Sequence, residues 1–264
     1  MARLGHALLA LALIFAVTGA RAEEKWGLVF LHGKQSEPGK SASGLLGAIE
    51  EAGYLVETPE LCWSAKRIYD RSYLDCLDEI GAALAKDRER GAAKIVLGGI
   101  DTGANAAIGY AARHRDIVAV LAISPSHSPE RLATVPEIGA SLAVARALAI
   151  SGRGNERVEL SDVNLGRRDP EFTVKTTPRI YLSWFGPDSP ALMPVNIVSV
   201  AAPIFWLAAS DDPNQHGIAY AFARAPKHPL NRYTTLDSDQ IQLPIIGTDD
   251  VLAWLRDVRA ADAR

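Results

Sequence analysis

From residue 26 onward, short apolar runs alternate with longer segments of helical spacing. That alternation restricts the chain to a mainly parallel sheet covered by helices on both faces, an α/β architecture. The spacing predicts strands at Trp26–Leu31, Tyr54–Glu57 and residues 94–98, 117–123, 203–209 and 232–236. It predicts helices at residues 41–52, 72–89, 103–114, 135–150, 215–223 and 248–261. From Ser124 to about Ala201 the alternation lapses. Apart from the helix at 135–150, this stretch is turn-rich and polar, with Gly152, Gly154, Asn155, Gly166 and Pro187. It reads as an insertion over the strand ends, too poor in core-forming residues to fold alone. The sequence shows no internal repeat and no low-complexity segment.

Residues 1–22 read as a secretory signal. Arg3 gives a basic start, residues 8–17 (LLALALIFAV) form the apolar core, and Ala20-Arg21-Ala22 fits the small-x-small cleavage rule. The apolar run is too short to span a bilayer; its other reading is a buried N-terminal helix. Removing these 22 residues from 264 leaves 242, and takes away Arg3 and Arg21 but no acid, so the formal charge moves from −3 to −5. That length suits one domain, residues 23–264, with a full core. A mildly acidic chain without a basic stripe is not built for nucleic acid. No later apolar run is long enough for an integral membrane segment. The expected location is periplasmic or secreted. Two cysteines, Cys62 and Cys76, suit a disulfide in such a compartment, and two separate buried thiols are the alternative.

The segment Gly98-Gly99-Ile100-Asp101-Thr102-Gly103-Ala104-Asn105 lies between a buried strand and an Ala-rich helix. It resembles the nucleophile elbow, Gly-x-Ser-x-Gly, of the α/β-hydrolase superfamily, with Gly99 and Gly103 at the glycine positions and Asp101 in place of the serine. Leu31-His32-Gly33-Lys34 after the first strand looks like the family's oxyanion loop. The resemblance implies one backbone N–H from that loop (His32, Gly33) and a second from Thr102. Asp212, in Ala209-Ser210-Asp211-Asp212-Pro213, matches the acid after the penultimate strand. The last loop reads Asp239-Gln240 where the family usually has Asp-His. The resemblance covers essentially the whole chain after residue 22.

Two departures decide what chemistry to expect. A serine hydrolase needs a hydroxyl, a base and an orienting acid. Asp101 needs no base to attack, and some members of the superfamily use an elbow aspartate, but a histidine must then release the alkyl ester. Gln240 cannot do this. Of the histidines (His6, His32, His114, His127, His216 and His228), His114 and His228 should lie on the wrong side of the sheet. His32, His127 and His216 could lean into the cleft, each reading first as a structural or surface histidine; of these, His127 in Ser124-Pro125-Ser126-His127 is the better substitute base. His32 is expected to fix the oxyanion loop by hydrogen bonding. At a helix N-terminus Asp101 is comfortable as an anion, where it would occupy or repel charge from the oxyanion hole.

Asp101, Asp212 and His127 could hold a cation, but two carboxylates are a weak metal signal, so neither metal nor cofactor is assigned. Trp63-Ser64 and Arg67-Ile68-Tyr69-Asp70 either line a pocket or tie a loop down. Tyr181-Leu182-Ser183-Trp184-Phe185-Gly186-Pro187 is read as packing of the insertion onto the sheet. The expectation is an exported protein of this fold, repurposed as a pseudoenzyme that binds a small-molecule or ester-like ligand in its cleft. An active hydrolase using Asp101 with a relocated histidine is the alternative, and a purely structural role with a protein partner is the remaining one.

Overall fold

A computed structural model of the chain describes residues 24–164, 171–213 and 217–264. The expected signal, residues 1–22, lies outside the described residues, as does His216. Six strands form one sheet: β1 (Trp26–Leu31), β2 (Tyr54–Glu57), β3 (Lys94–Ile100), β4 (Ala119–Ile123), β7 (Ile204–Ala209) and β8 (Arg232–Leu236). Their order is β2-β1-β3-β4-β7-β8, and every neighbouring pair is parallel. Parallel neighbours need crossovers, and helices supply them except between β7 and β8, where the described residues hold only turns and a short 3-10 turn.

Alternate strand residues point to opposite faces, so one sheet feeds two cores. Leu28, Phe30, Val96, Leu121 and Phe205 pack under α1 (Ser43–Glu51) and α9 (Thr248–Asp262) through Leu45, Ile49, Trp254 and Leu255. Val29, Leu31, Leu97, Val120 and Trp206 pack under α2 (Tyr73–Glu89), α3 (Thr102–Ala111) and the insertion. Helix α2 starts where Ser72 Oγ accepts a hydrogen bond from the Asp75 N–H. Among the described residues no helix is long and apolar enough to cross a membrane.

The stretch expected as an insertion, residues 124–201, is more ordered in its described part than its composition suggests. It holds α4 (Pro129–Leu132), α5 (Pro136–Ile150), an antiparallel hairpin of β5 (Val158–Val163) and β6 (Glu171–Thr176), α6 (Pro178–Phe185) and α7 (Met193–Asn196). The sequence reading missed the hairpin because an inward position of β5 is a carboxylate, Asp162, which breaks the apolar alternation. Helix α6 buries Tyr181, Trp184 and Phe185, so this run packs the insertion down. The helix expected over 215–223 is corrected: its described part is turns and a short 3-10 turn at Phe222–Arg224. Gly217 takes φ 68, outside the helical region, and Ala221 at φ −138, ψ −49 breaks the stretch again before Phe222. Short α8 (Leu243–Ile246) precedes α9.

Cys62 and Cys76 are disulfide-bonded, tying the loop after β2 to α2 with Cα atoms 5.9 Å apart. Reduction, followed by urea denaturation, is expected to cost on the order of 3 kcal/mol, the chain-entropy value for a loop of this size. Arg67 reinforces the same loop, with its guanidinium 2.6–2.7 Å from the Glu79 carboxylate and 2.9–3.0 Å from that of Asp70. Trp63 Nε1 donates to the His32 carbonyl at 2.8 Å. These residues tie the loop down.

Candidate functional site

The turn between β3 and α3 is sharp because its glycines let backbones touch. A Cβ on Gly103 would lie 2.3 Å from the Leu31 carbonyl oxygen, and one on Gly99 would lie 2.5 Å from the Gly103 carbonyl carbon. Between them Asp101 is held at φ 57, ψ −122. It is not alone in strain. Among the described residues, the non-glycine positions with positive φ are Gln35, Ile68, Tyr69, Asp101, Ser124 and His127. All six sit in loops that leave the C-terminal ends of β1, β2, β3 and β4. Such conformations cost of order 1–3 kcal/mol each and persist where the surroundings impose them, commonly at working sites.

The Asp101 carboxylate is gripped on both oxygens. Oδ2 accepts from the Lys34 N–H at 2.8 Å, and Oδ1 accepts from the Ser126 hydroxyl. The Ser126 N–H also donates to the Asp101 carbonyl, at 3.3 Å. A Cβ on Gly33 would come within 3.0 Å of Asp101 Oδ2, so a glycine there lets the carboxylate approach. Burial pushes the Asp101 carboxyl up to about 6, and the charge of Asp212 adds to this. The Lys34 charge and the Lys34 and Thr102 N–H groups pull the other way, and burial wins.

The amide from the β1 loop that reaches this point is that of Lys34. The side chain of His32 turns away and braces the loop: Nδ1 donates to the Gly33 carbonyl at 2.8 Å and Nε2 accepts from the Leu61 N–H at 3.2 Å. Burial lowers the His32 pKa, which suits a neutral ring holding one donor and one acceptor contact.

Lys34 also brings a group that sequence reasoning missed. Its Nζ lies 3.1 and 3.2 Å from the two oxygens of Asp162 on β5 and donates to the Val163 carbonyl at 2.6 Å. The Tyr69 hydroxyl donates to the same carboxylate at 3.2 Å. The pair is 10 % and 0 % exposed, so the insertion hairpin is anchored beside the elbow by a buried charge pair.

His127 stands in an aromatic cage, with ring centroids of Trp184 and Phe185 at 5.3 and 5.2 Å. Its Nε2 donates to the Trp184 carbonyl at 3.0 Å, and Nδ1 is buried without a hydrogen-bond partner among the described residues. Burial, with the Lys34 charge behind it, lowers its pKa to about 3. Asn105 on α3 fixes this loop through hydrogen bonds to the carbonyls of His127 (2.9 Å) and Ala191 (2.8 Å). Asp212 is buried on the loop after β7. Gln240 is half-buried on the loop after β8, and its Nε2 has no hydrogen-bond partner among the described residues. His114 stacks on Tyr110 just past the end of α3, and His228 accepts from the Leu230 N–H ahead of β8. Among the described residues no group of three or more His, Cys, Asp or Glu is arranged to hold a metal ion.

The raised carboxyl carries a stability signature. Its folded pKa, about 6, lies above the ordinary 3.8, so between these values the folded chain holds a proton that the unfolded chain releases. The stability this contributes is present below about pH 4 and lost as pH rises through about 6. Asp101→Asn is therefore expected to stabilise the protein at pH 7.5 by about 1–2 kcal/mol, after allowance for the acceptor it loses and for solvent at the site. Urea melts of both proteins should show the gap closing by pH 4.

The sequence matches no family model and no curated protein. Solved structures do resemble the fold. A monoacylglycerol lipase from Paleococcus ferrophilus is 20% identical with a TM-score of 0.63, over 88% of this chain and 94% of that one. A structure reported for the metagenome-derived lipolytic enzymes LipS and LipT is 15% identical with a TM-score of 0.61, over 89% and 94%. A proline iminopeptidase from Mycobacterium smegmatis is 14% identical with a TM-score of 0.58, over 90% and 91%. With the parallel sheet, the elbow after its third strand in the chain and the loops gathered at one sheet end, these likenesses identify the architecture: the chain has the α/β-hydrolase fold.

Proposed function

We propose that this is an exported binding protein on a hydrolase scaffold, one that takes a small-molecule or ester-like ligand in its cleft and does not run the family's serine–histidine reaction. The observation that carries this reading is the hydrogen bond from the Lys34 N–H to Asp101 Oδ2. An oxyanion hole works by offering N–H donors to charge that develops in the transition state. Here a resident carboxylate already takes that donor.

Attack by Asp101 itself with His127 as base is the weaker reading. The His127 Nε2 proton is committed to the Trp184 carbonyl, and a ring with a pKa of about 3 is a poor base. Export is supported by the pattern of residues 1–22 and by the Cys62–Cys76 bond, which suits an oxidising compartment. The test is steady-state hydrolysis of a short panel of chromogenic acyl esters by the purified protein. No sustained turnover is expected. Sustained turnover that both Asp101→Asn and His127→Ala abolish would replace the binding reading with the relocated-base hydrolase.

A further inference from the structure

The hydroxyl that donates to Asp101 belongs to a residue with no part in the family's pattern. We propose that Ser126 is a nucleophile, that Asp101 is the base taking its proton, and that the pair accepts acyl groups from small esters. Three observations on different elements support it. Ser126 Oγ donates directly to Asp101 Oδ1, and the Ser126 N–H to the Asp101 carbonyl, so the two residues are held together twice. The positive φ values at Ser124 and His127, on either side of Ser126, impose the shape of its loop. The other Asp101 oxygen is fixed by the Lys34 N–H, which orients the carboxylate as an acid orients the imidazole in a conventional triad.

Basicity points the same way. Asp101 binds its proton up to about pH 6 and His127 only to about pH 3, so of these two neighbours the carboxylate is the stronger base. Relative to the usual arrangement, the base stands on the elbow and the hydroxyl on the neighbouring loop.

In the reaction the Ser126 oxygen bonds to the ester carbonyl carbon as its proton passes to Asp101 Oδ1. Collapse of the adduct breaks the acyl–oxygen bond, and the departing alkoxide takes the proton back. The products are acyl-Ser126 and an alcohol, with no change in oxidation state. Gln240 has no titratable group to act as a base, so Asp101 alone serves the deacylating water and release is slow. This goes beyond the binding reading, since an acyl group left on Ser126 is a ligand held covalently.

The experiment treats the full chain with methanesulfonyl fluoride, whose size suits a residue only 6 % exposed. The sulfur–oxygen bond forms, fluoride leaves and Asp101 takes the proton. Intact mass and peptide mapping should find one sulfonyl group, on the peptide and residue Ser126. The rate should rise with pH through about 6, where Asp101 becomes a carboxylate. Ser126→Ala should remove the label, Ser151→Ala at an exposed serine after α5 should keep it, and Asp101→Asn should slow it at least ~100-fold, the usual contribution of a general base. Asp101→Asn is expected to be no less stable than the natural protein, so unfolding cannot account for its loss. No adduct, an adduct elsewhere, or an unchanged rate in Asp101→Asn would overturn the assignment. Sustained ester turnover lost in Ser126→Ala would overturn the binding reading and leave this one standing.

Discussion

Asp162→Ala is expected to destabilise the protein by about 3–5 kcal/mol, the cost of stripping one partner from a buried charge pair. Its carboxylate is fully buried and faces Lys34 Nζ with both oxygens, while the Tyr69 hydroxyl donates to it as well. Removing it leaves the Lys34 ammonium with the Val163 carbonyl and the face of Phe172, 5.6 Å from its ring centre. Desolvation makes such a pair weak as net stabilisation but expensive to half-break. The double substitution Lys34→Met with Asp162→Leu should therefore recover most of the loss. Urea denaturation of the singles and the double gives the coupling directly. A single that costs under ~1 kcal/mol would mean water reaches the pair. The loss would also be felt at the elbow, because an unneutralised Lys34 would draw the Asp101 carboxyl back toward its ordinary value.

The second large effect is acid lability through His127. Its folded pKa is depressed from 6.5 to about 3, so the unfolded chain takes up a proton across that window and the folded chain does not. The stability is full above about 6.5 and lost as pH falls toward 3, on the order of 4 kcal/mol in all. Asp101 works in the opposite direction between about 4 and 6, so each pH must be read as the difference between the natural protein and His127→Phe. Phenylalanine fits a cage formed by Trp184, Phe185 and Tyr69, and should cost about 1 kcal/mol at neutral pH for the lost bond to the Trp184 carbonyl. At pH 4 it should be the more stable protein. A constant difference from pH 7 to pH 4 would show that the imidazole titrates normally.

Local chemistry made much of this fold legible. Strands β1, β2 and β8 have the bounds expected of them, because each is a short apolar or β-branched run cut off by glycine, proline or polar residues. The elbow was legible because Gly99 and Gly103 answer a need for close backbone contact that other residues cannot meet. The β5–β6 hairpin was not, because Asp162 occupies a position that the alternation rule reserves for an apolar side chain. Its reason for being there is Lys34, 128 residues earlier in the chain, and no local pattern carries a pairing at that separation. Ser126 was visible only as a member of a Ser-Pro-Ser-His string, since its contact with Asp101 depends on two loops meeting at the sheet end. Which amide of the Leu31-His32-Gly33-Lys34 loop reaches the carboxylate likewise depends on the backbone path.

The most direct test compares ester hydrolysis by the natural protein with that by Asp101→Ser combined with Gln240→His. The serine removes the carboxylate from the Lys34 N–H, and the histidine supplies a base on the loop after β8. If a carboxylate in its own oxyanion hole is what silences the scaffold, the natural protein shows no sustained turnover and the double variant gains it. Sustained turnover by the natural protein, equal to or above that of the double variant, would contradict the account.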